Sequence, residues 1–152
     1  MFSLDERLQA DTVFVGRLPL SQVLLMNDSR YAWVILVPVR QDAREFYHLS
    51  EADQTQLMAE SSWVAEKLAD QYSADSMNVA ALGNVVPQLH LHHVVRNEGD
   101  PAWPGPVWGH SPAVPYDVDA LETRVHELKS LFESHFVEDI NGDDEAENNI
   151  YW

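Results

Sequence analysis

Gln88-Leu89-His90-Leu91-His92-His93-Val94-Val95-Arg96 is the stretch on which the reading of this chain turns. Side chains alternate between the faces of an extended strand, so Gln88, His90 and His92 share one face and Leu89, Leu91 and His93 the other. Neighbours on the polar face then stand ~6.6 Å apart, twice the ~3.3 Å rise per residue. Two imidazoles and an amide at that spacing can meet one phosphate-sized group, while Leu89 and Leu91 bury the opposite face and set the register. Three readings are open. The histidines can be two ligands of a metal site that needs a third or fourth, with His110, His126, His135 or a carboxylate to complete it; no spacing selects one. An imidazole nitrogen can instead attack phosphorus, form a phosphoramidate and be displaced by water, which splits one slow hydrolysis into two easier steps. That nucleophile must be neutral, with its other nitrogen held by a hydrogen bond. Finally, both histidines can be structural.

Outward from this strand, Met77–Leu82 reads as another strand, and Gly83-Asn84 as a turn or bulge. Asp100–Gly109 holds three prolines and two glycines, which excludes regular structure there. Two apolar runs, Gln22–Met26 and Trp33–Val39, flank Asn27-Asp28-Ser29-Arg30 and predict a β-hairpin. Ser50-Glu51-Ala52-Asp53 resembles a capping box with Asp in place of Glu, and a Pro- and Gly-free helix follows to about Tyr72. Leu57, Val64 and Leu68 fall on one face of that helix, with Trp63 beside them. Asp119–Phe136 predicts a C-terminal helix with Leu121, Val125, Leu128 and Phe132 on its apolar stripe, and Leu4–Thr12 a short one with Ser3 as N-cap. Residues 1–137 read as a single domain and 138–152 as an acidic tail.

Composition limits the function. In 152 residues, Asp and Glu number 25 against 9 Lys and Arg, a net charge of −16, which disfavours binding to nucleic acid or anionic lipid. The excess is only partly local: without the six acids of residues 138–147 the chain still carries −10. No run of about 18 apolar residues is present to cross a membrane, and the first ten residues do not read as a secretory signal. The absence of cysteine removes thiol nucleophiles and disulfides and is compatible with a cytoplasmic protein.

The stretch also resembles the histidine triad (HIT) family of nucleotide hydrolases and transferases, whose motif is His-φ-His-φ-His-φ-φ, with φ apolar. It looks most like a bacterial branch with Gln-φ-His-φ-His, the group of diadenosine polyphosphate hydrolase-like proteins, and Ala80-Ala81-Leu82-Gly83-Asn84 and Ala102-Trp103-Pro104-Gly105-Pro106-Val107-Trp108-Gly109 share that likeness. The resemblance runs, more weakly, from the hairpin at Gln22 to Trp108. It implies an α+β fold: a mostly antiparallel sheet of about five strands, one long packed helix and a two-fold homodimer, with a C-terminal helix beyond the reach of the likeness. By position, the family's nucleophile falls on His90 and its third histidine on His92, while the first falls on Gln88, a departure. An amide can donate to a phosphoryl oxygen but is no general acid. Asn78 and Asn84 fall near the family's phosphate contacts, and Asn27 and Asp28 near its nucleoside pocket. Arg96 can counter a phosphate charge or form a surface ion pair. Trp33 stands where many members carry a further histidine, a second departure. His93 points to the core or an interface, and Trp103 and Trp108 cover a base or pack a partner subunit.

The resemblance therefore implies cleavage of a nucleoside polyphosphate or phosphoramidate at the α-phosphate through a nucleotidyl-His90. The substrate is a small nucleotide, and no cofactor or protein-bound metal is required, although a divalent cation can ride on the substrate phosphates. The alternative is a catalytically weak or inactive nucleotide-binding protein, motivated by Gln88 and Trp33. A metal hydrolase built on His90 and His92 ranks third.

Overall fold

In the computed structural model, which describes residues 1–138, five strands form one sheet. They are Thr12–Arg17 (β1), Ser21–Met26 (β2), Trp33–Pro38 (β3), Ser76–Ala81 (β4) and Leu91–Arg96 (β5), in the spatial order β1-β2-β3-β5-β4. All four pairings are antiparallel. The helices are Glu6–Asp11 (α1), Glu51–Tyr72 (α2) and Val118–Phe132 (α3), which makes the fold α+β, as the sequence predicts. The proposed tail falls, but for its first residue, outside the described residues.

The two faces of the sheet bury different cores. Val23, Leu25, Val34, Leu36, Leu91 and Val95 face Leu57, Val64 and Leu68 of α2 and Leu128 and Phe132 of α3. This is the apolar stripe expected of α2, and the Ser50 hydroxyl caps that helix by accepting from the Asp53 N–H at 3.1 Å. The other face, with Leu24, Trp33, Ile35, Val37 and Val94, is covered by Leu8 of α1 and by Tyr31, Ala102 and Val107 from loops. Each set follows the period-2 alternation of β2, β3 and β5.

Four boundaries differ from expectation. The strand expected over Gln88–Arg96 begins only at Leu91, because Pro87 and a carbonyl bond made by His90 keep residues 82–90 irregular. The first helix is capped by Asp5, whose carboxylate accepts from the Arg7 N–H at 2.8 Å, rather than by Ser3. The last helix ends at Phe132 in a short 3-10 turn, Glu133–His135. The fourth is β1, a strand with no counterpart among the sequence-based elements. Its pattern is broken by a bulge between Phe14 and Gly16, where the Phe136 ring lies against the backbone so closely that a Cβ on Gly16 would run into it.

Candidate active site

His90 leaves the irregular run just before β5, and His92 is the second residue of that strand. The His90 Nδ1 lies 2.7 Å from the Gln88 carbonyl oxygen. A carbonyl only accepts, so Nδ1 carries the proton and Nε2 of the neutral ring keeps its lone pair. The geometry thus supplies the tautomer that a nucleophilic imidazole needs.

His92 is held the opposite way. The Trp33 indole N–H donates to His92 Nδ1 at 2.9 Å. An indole nitrogen only donates, so Nδ1 is the acceptor and the proton of the neutral ring sits on Nε2. Burial, aided by the neighbouring His90 and His93, pushes the His92 imidazole down to about 3. The two rings lie 4.9 Å apart between centroids. As a pair they hold one bare ring nitrogen and one N–H donor. Trp108 packs edge-on against His92 at 5.4 Å and against Trp33 at 6.1 Å, which walls this face with aromatic rings.

The remaining sequence-predicted residues are placed as follows. Gln88 is not on the strand, so its side chain does not follow the alternation that would set it beside His90 and His92. Its amide instead ties down the N-terminal segment, with Nε2 donating to the Ser3 carbonyl at 2.9 Å and Oε1 accepting from the Asp5 N–H at 2.9 Å. Arg96 is buried. Its guanidinium forms a two-pronged ion pair with Asp100, donates to Asn78 Oδ1 at 2.7 Å and donates to the Gly105 carbonyl at 2.7 Å. That pairing holds the Asp100 carboxyl below the usual carboxylate range. Arg96 and Asn78 are therefore joined in one network that pins the proline-rich loop to the His92 face. Asn27 Oδ1 accepts from the Tyr116 N–H, and the buried Asp28 pairs with the partly buried Arg30, which in turn donates to Ser111 and the Pro112 carbonyl, so the hairpin turn is fastened to residues 111–116. Asn84 lies in an exposed turn. His93, on the reverse face, shares a 2.7 Å hydrogen bond with Ser61 of α2.

A cavity of about 430 Å³ opens between the N-terminal segment, residues 41–44 and Pro87-Gln88. It reaches Gln88 but is not lined by His90 or His92. Among the described residues, no group of three or more His, Asp or Glu side chains converges as a metal site would need. Trp33, which the sequence shows only as a departure from the family pattern, belongs to the site. Its signal was register: Trp33 is two residues from Ile35, the partner of His92, and so is the diagonal neighbour of His92 on the same face.

The His90 and His92 rings thus set a bare Nε2 beside an Nε2–H donor at the start of β5, and the comparisons with known proteins agree with the fold. Residues 7–99 match the HIT domain family. A histidine triad protein from Marinobacter aquaeolei VT8 is 52% identical and superposes with a TM-score of 0.87 over 89% of this chain and 98% of its own. A histidine triad (HIT) protein from Sinorhizobium meliloti 1021 is 46% identical, with a TM-score of 0.80 over 84% of this chain and 96% of its own. A histidine triad protein from Bradyrhizobium japonicum is 44% identical, with a TM-score of 0.81 over 90% and 98%. No curated protein matches the chain at a significant level. The chain belongs to the HIT family, which is one of nucleotide-binding hydrolases and transferases. No described helix is long and apolar enough to cross a membrane.

Proposed function

We propose that this chain is a nucleotide hydrolase that cleaves a nucleoside polyphosphate or phosphoramidate at the α-phosphorus through a nucleotidyl-His90 intermediate. The observation that carries this reading is the bond from His90 Nδ1 to the Gln88 carbonyl, which leaves Nε2 with its lone pair. In the first step Nε2 forms a bond to phosphorus as the bond to the leaving group breaks. The Nδ1–H stays on the Gln88 carbonyl, which accommodates the positive charge of the substituted ring. The His92 Nε2–H is the donor available to a phosphoryl oxygen as charge develops there. Water then bonds to phosphorus as the P–Nε2 bond breaks: the electron pair returns to Nε2, the water oxygen leaves with the nucleoside monophosphate, and the water's proton passes to solvent. Asn84, Asn78, Asn27 and Arg96 are the proposed substrate contacts. For the last three, the fixed hydrogen bonds favour a role in shaping the pocket wall.

A panel of adenosine and guanosine polyphosphates and phosphoramidates tests this with chelator present, beside His90→Ala, with intact-mass analysis of rapidly quenched samples. Nucleoside monophosphate release by the parent alone, with a transient nucleotidyl adduct, is the expected result. Full turnover by His90→Ala would refute the mechanism. The second reading, a nucleotide-binding protein without catalysis, is favoured by one observation: the Gln88 amide, at the first motif position, is committed to Ser3 and Asp5. It predicts affinity with neither release nor adduct. The proposed assembly is a homodimer in the cytoplasm. Its support is family membership and the exposed apolar side chains of Val79, Leu82 and Val85 on and just after the edge strand β4. Sedimentation at micromolar concentration checks it, and a monomer there would refute it.

A further inference from the structure

We propose that Trp33 is a positioning residue that locks His92 as a neutral Nε2–H donor, and that this lock restricts the site to substrates whose leaving group departs as a stable anion. The inference rests on the proposed His90 mechanism and names its substrate class: phosphoanhydrides, in preference to phosphoramidates of unactivated amines.

The argument begins with what an imidazole can do. To act as a general acid His92 would have to become an imidazolium, with N–H groups on both nitrogens. Its Nδ1 already faces the Trp33 indole N–H at 2.9 Å. Protonation there would set two donors against each other, and an indole has no lone pair to offer in exchange. Trp33 cannot turn away cheaply, because it is buried between Tyr31, with ring centroids 6.3 Å apart, and Trp108, at 6.1 Å. The charges that act on His92 reinforce the point. His90 lies beside it and His93 follows it on the strand, so both oppose a positive charge, while Trp33 from β3 and Trp108 from the loop bring no carboxylate. The other candidate acid is absent as well. Position 88 is an amide, and both ends of that amide are bonded to the backbone of the N-terminal segment.

Leaving-group chemistry then divides the substrates. In a phosphoanhydride, attack by His90 Nε2 breaks a P–O bond, and the departing phosphate keeps the electron pair as a stable anion that needs no proton. In a phosphoramidate the P–N bond breaks, and an unactivated amine leaves only if its nitrogen gains a proton before or during departure. Neither His92 as held here nor Gln88 delivers that proton. A neutral Nε2–H can still hydrogen-bond a phosphoryl oxygen, and that suffices for the anhydride.

Two readouts on the full chain test the proposal. Nitrogen-15 NMR of the histidine rings should show His92 with a proton on Nε2 and a bare Nδ1, unchanged between pH 7 and 5. Trp33→Phe, which removes the donor and keeps an aromatic ring, should release the lock: the neutral His92 ring should populate Nδ1–H as well as Nε2–H, and its second proton should bind at a higher pH than in the parent. In kinetics at pH 7, the parent should favour a dinucleoside polyphosphate over an adenosine alkylphosphoramidate by about 100-fold in kcat/KM, the low end of what general acid catalysis contributes. Trp33→Phe should narrow that ratio at least about tenfold through kcat, with KM little changed. A His92 Nδ1–H in the parent at pH 7, or equal turnover of both substrates, overturns the proposal. If Trp33→Phe does not fold, the two measurements on the parent decide alone. If neither substrate is cleaved and no His90 adduct forms, the proposed function fails and the leaving-group claim falls with it. The NMR result would then still report whether Trp33 sets the His92 tautomer.

Discussion

His92 and His93 are adjacent in sequence and opposite in fate. His92 faces the aromatic side of the sheet, beside His90, Trp33 and Trp108. His93 faces the helical side, fully buried, with its Nε2 on Ser61 of α2. Burial pushes both imidazoles down, to about 3 and about 4, so a low titration point does not distinguish a working histidine from a structural one. What distinguishes them is company. His92 stands next to a ring with a bare Nε2 and receives a bond that leaves its own proton on Nε2, whereas His93 is enclosed by a helix that leaves no room for substrate.

The sharpest test of this contrast is His90→Ala. Loss of the proposed nucleophile on the aromatic face should cost at least about 10³-fold in kcat, equivalent to about 4 kcal/mol of barrier. The urea midpoint should stay near that of the parent, and an equal fall in midpoint would erase the distinction between the faces. Arg96→Ala probes a group on the aromatic face whose bonds are all internal. It leaves Asp100 without its buried partner, so a loss of about 3–5 kcal/mol is expected in chemical denaturation. A loss of activity at unchanged stability would instead make Arg96 a substrate contact.

Acid tests both faces together. A histidine whose folded titration point lies below the unfolded value of about 6.5 stabilises the fold fully above that value, and the contribution is lost as pH falls toward the folded value. Between pH 6.5 and 5, His92 and His93 should each withdraw about 2 kcal/mol. Glu60, whose carboxyl burial holds above the ordinary range, acts in the opposite sense: as pH falls from its raised folded titration point toward the ordinary carboxylate value, its protonation stabilises the fold. Thermal unfolding at several pH values checks this. A Tm that does not move between pH 7 and 5 in Glu60→Gln, where the opposing carboxyl is removed, would mean that the two rings are not held neutral. The smallest expected effect is Ser61→Ala, which deprives His93 Nε2 of its partner at a cost of about 1–3 kcal/mol, with kcat per folded molecule unchanged. A fall in kcat would join the two faces functionally.

Much of this was legible before the structure. The hairpin strands, α2 with its serine cap, and the assignment of Leu91 and His93 to one face and His92 to the other all follow from local periodicity. Strand β1 is not legible, because a bulge between Phe14 and Gly16 breaks its alternation and the ring packed on Gly16 belongs to Phe136, a residue 120 positions later whose approach no local pattern encodes. The start of β5 departs from the local pattern for a related reason. Alternation continues through Gln88 in the sequence, but a ring-to-carbonyl bond takes His90 out of the ladder.

The sequence by itself determined that two histidines flank the leucine that opens a strand, in an acidic chain without cysteine for thiol chemistry. It also determined the family likeness that residues 7–99 confirm. Only the tertiary structure decided which nitrogen of each ring carries its proton. That choice depends on a backbone carbonyl two residues away for His90 and on an indole from a neighbouring strand for His92. It also decided that Gln88 holds the N-terminal segment and that Arg96 holds the loop after β5. Residue type limits what a side chain can donate or accept, but the partner across space settles which of those bonds it makes.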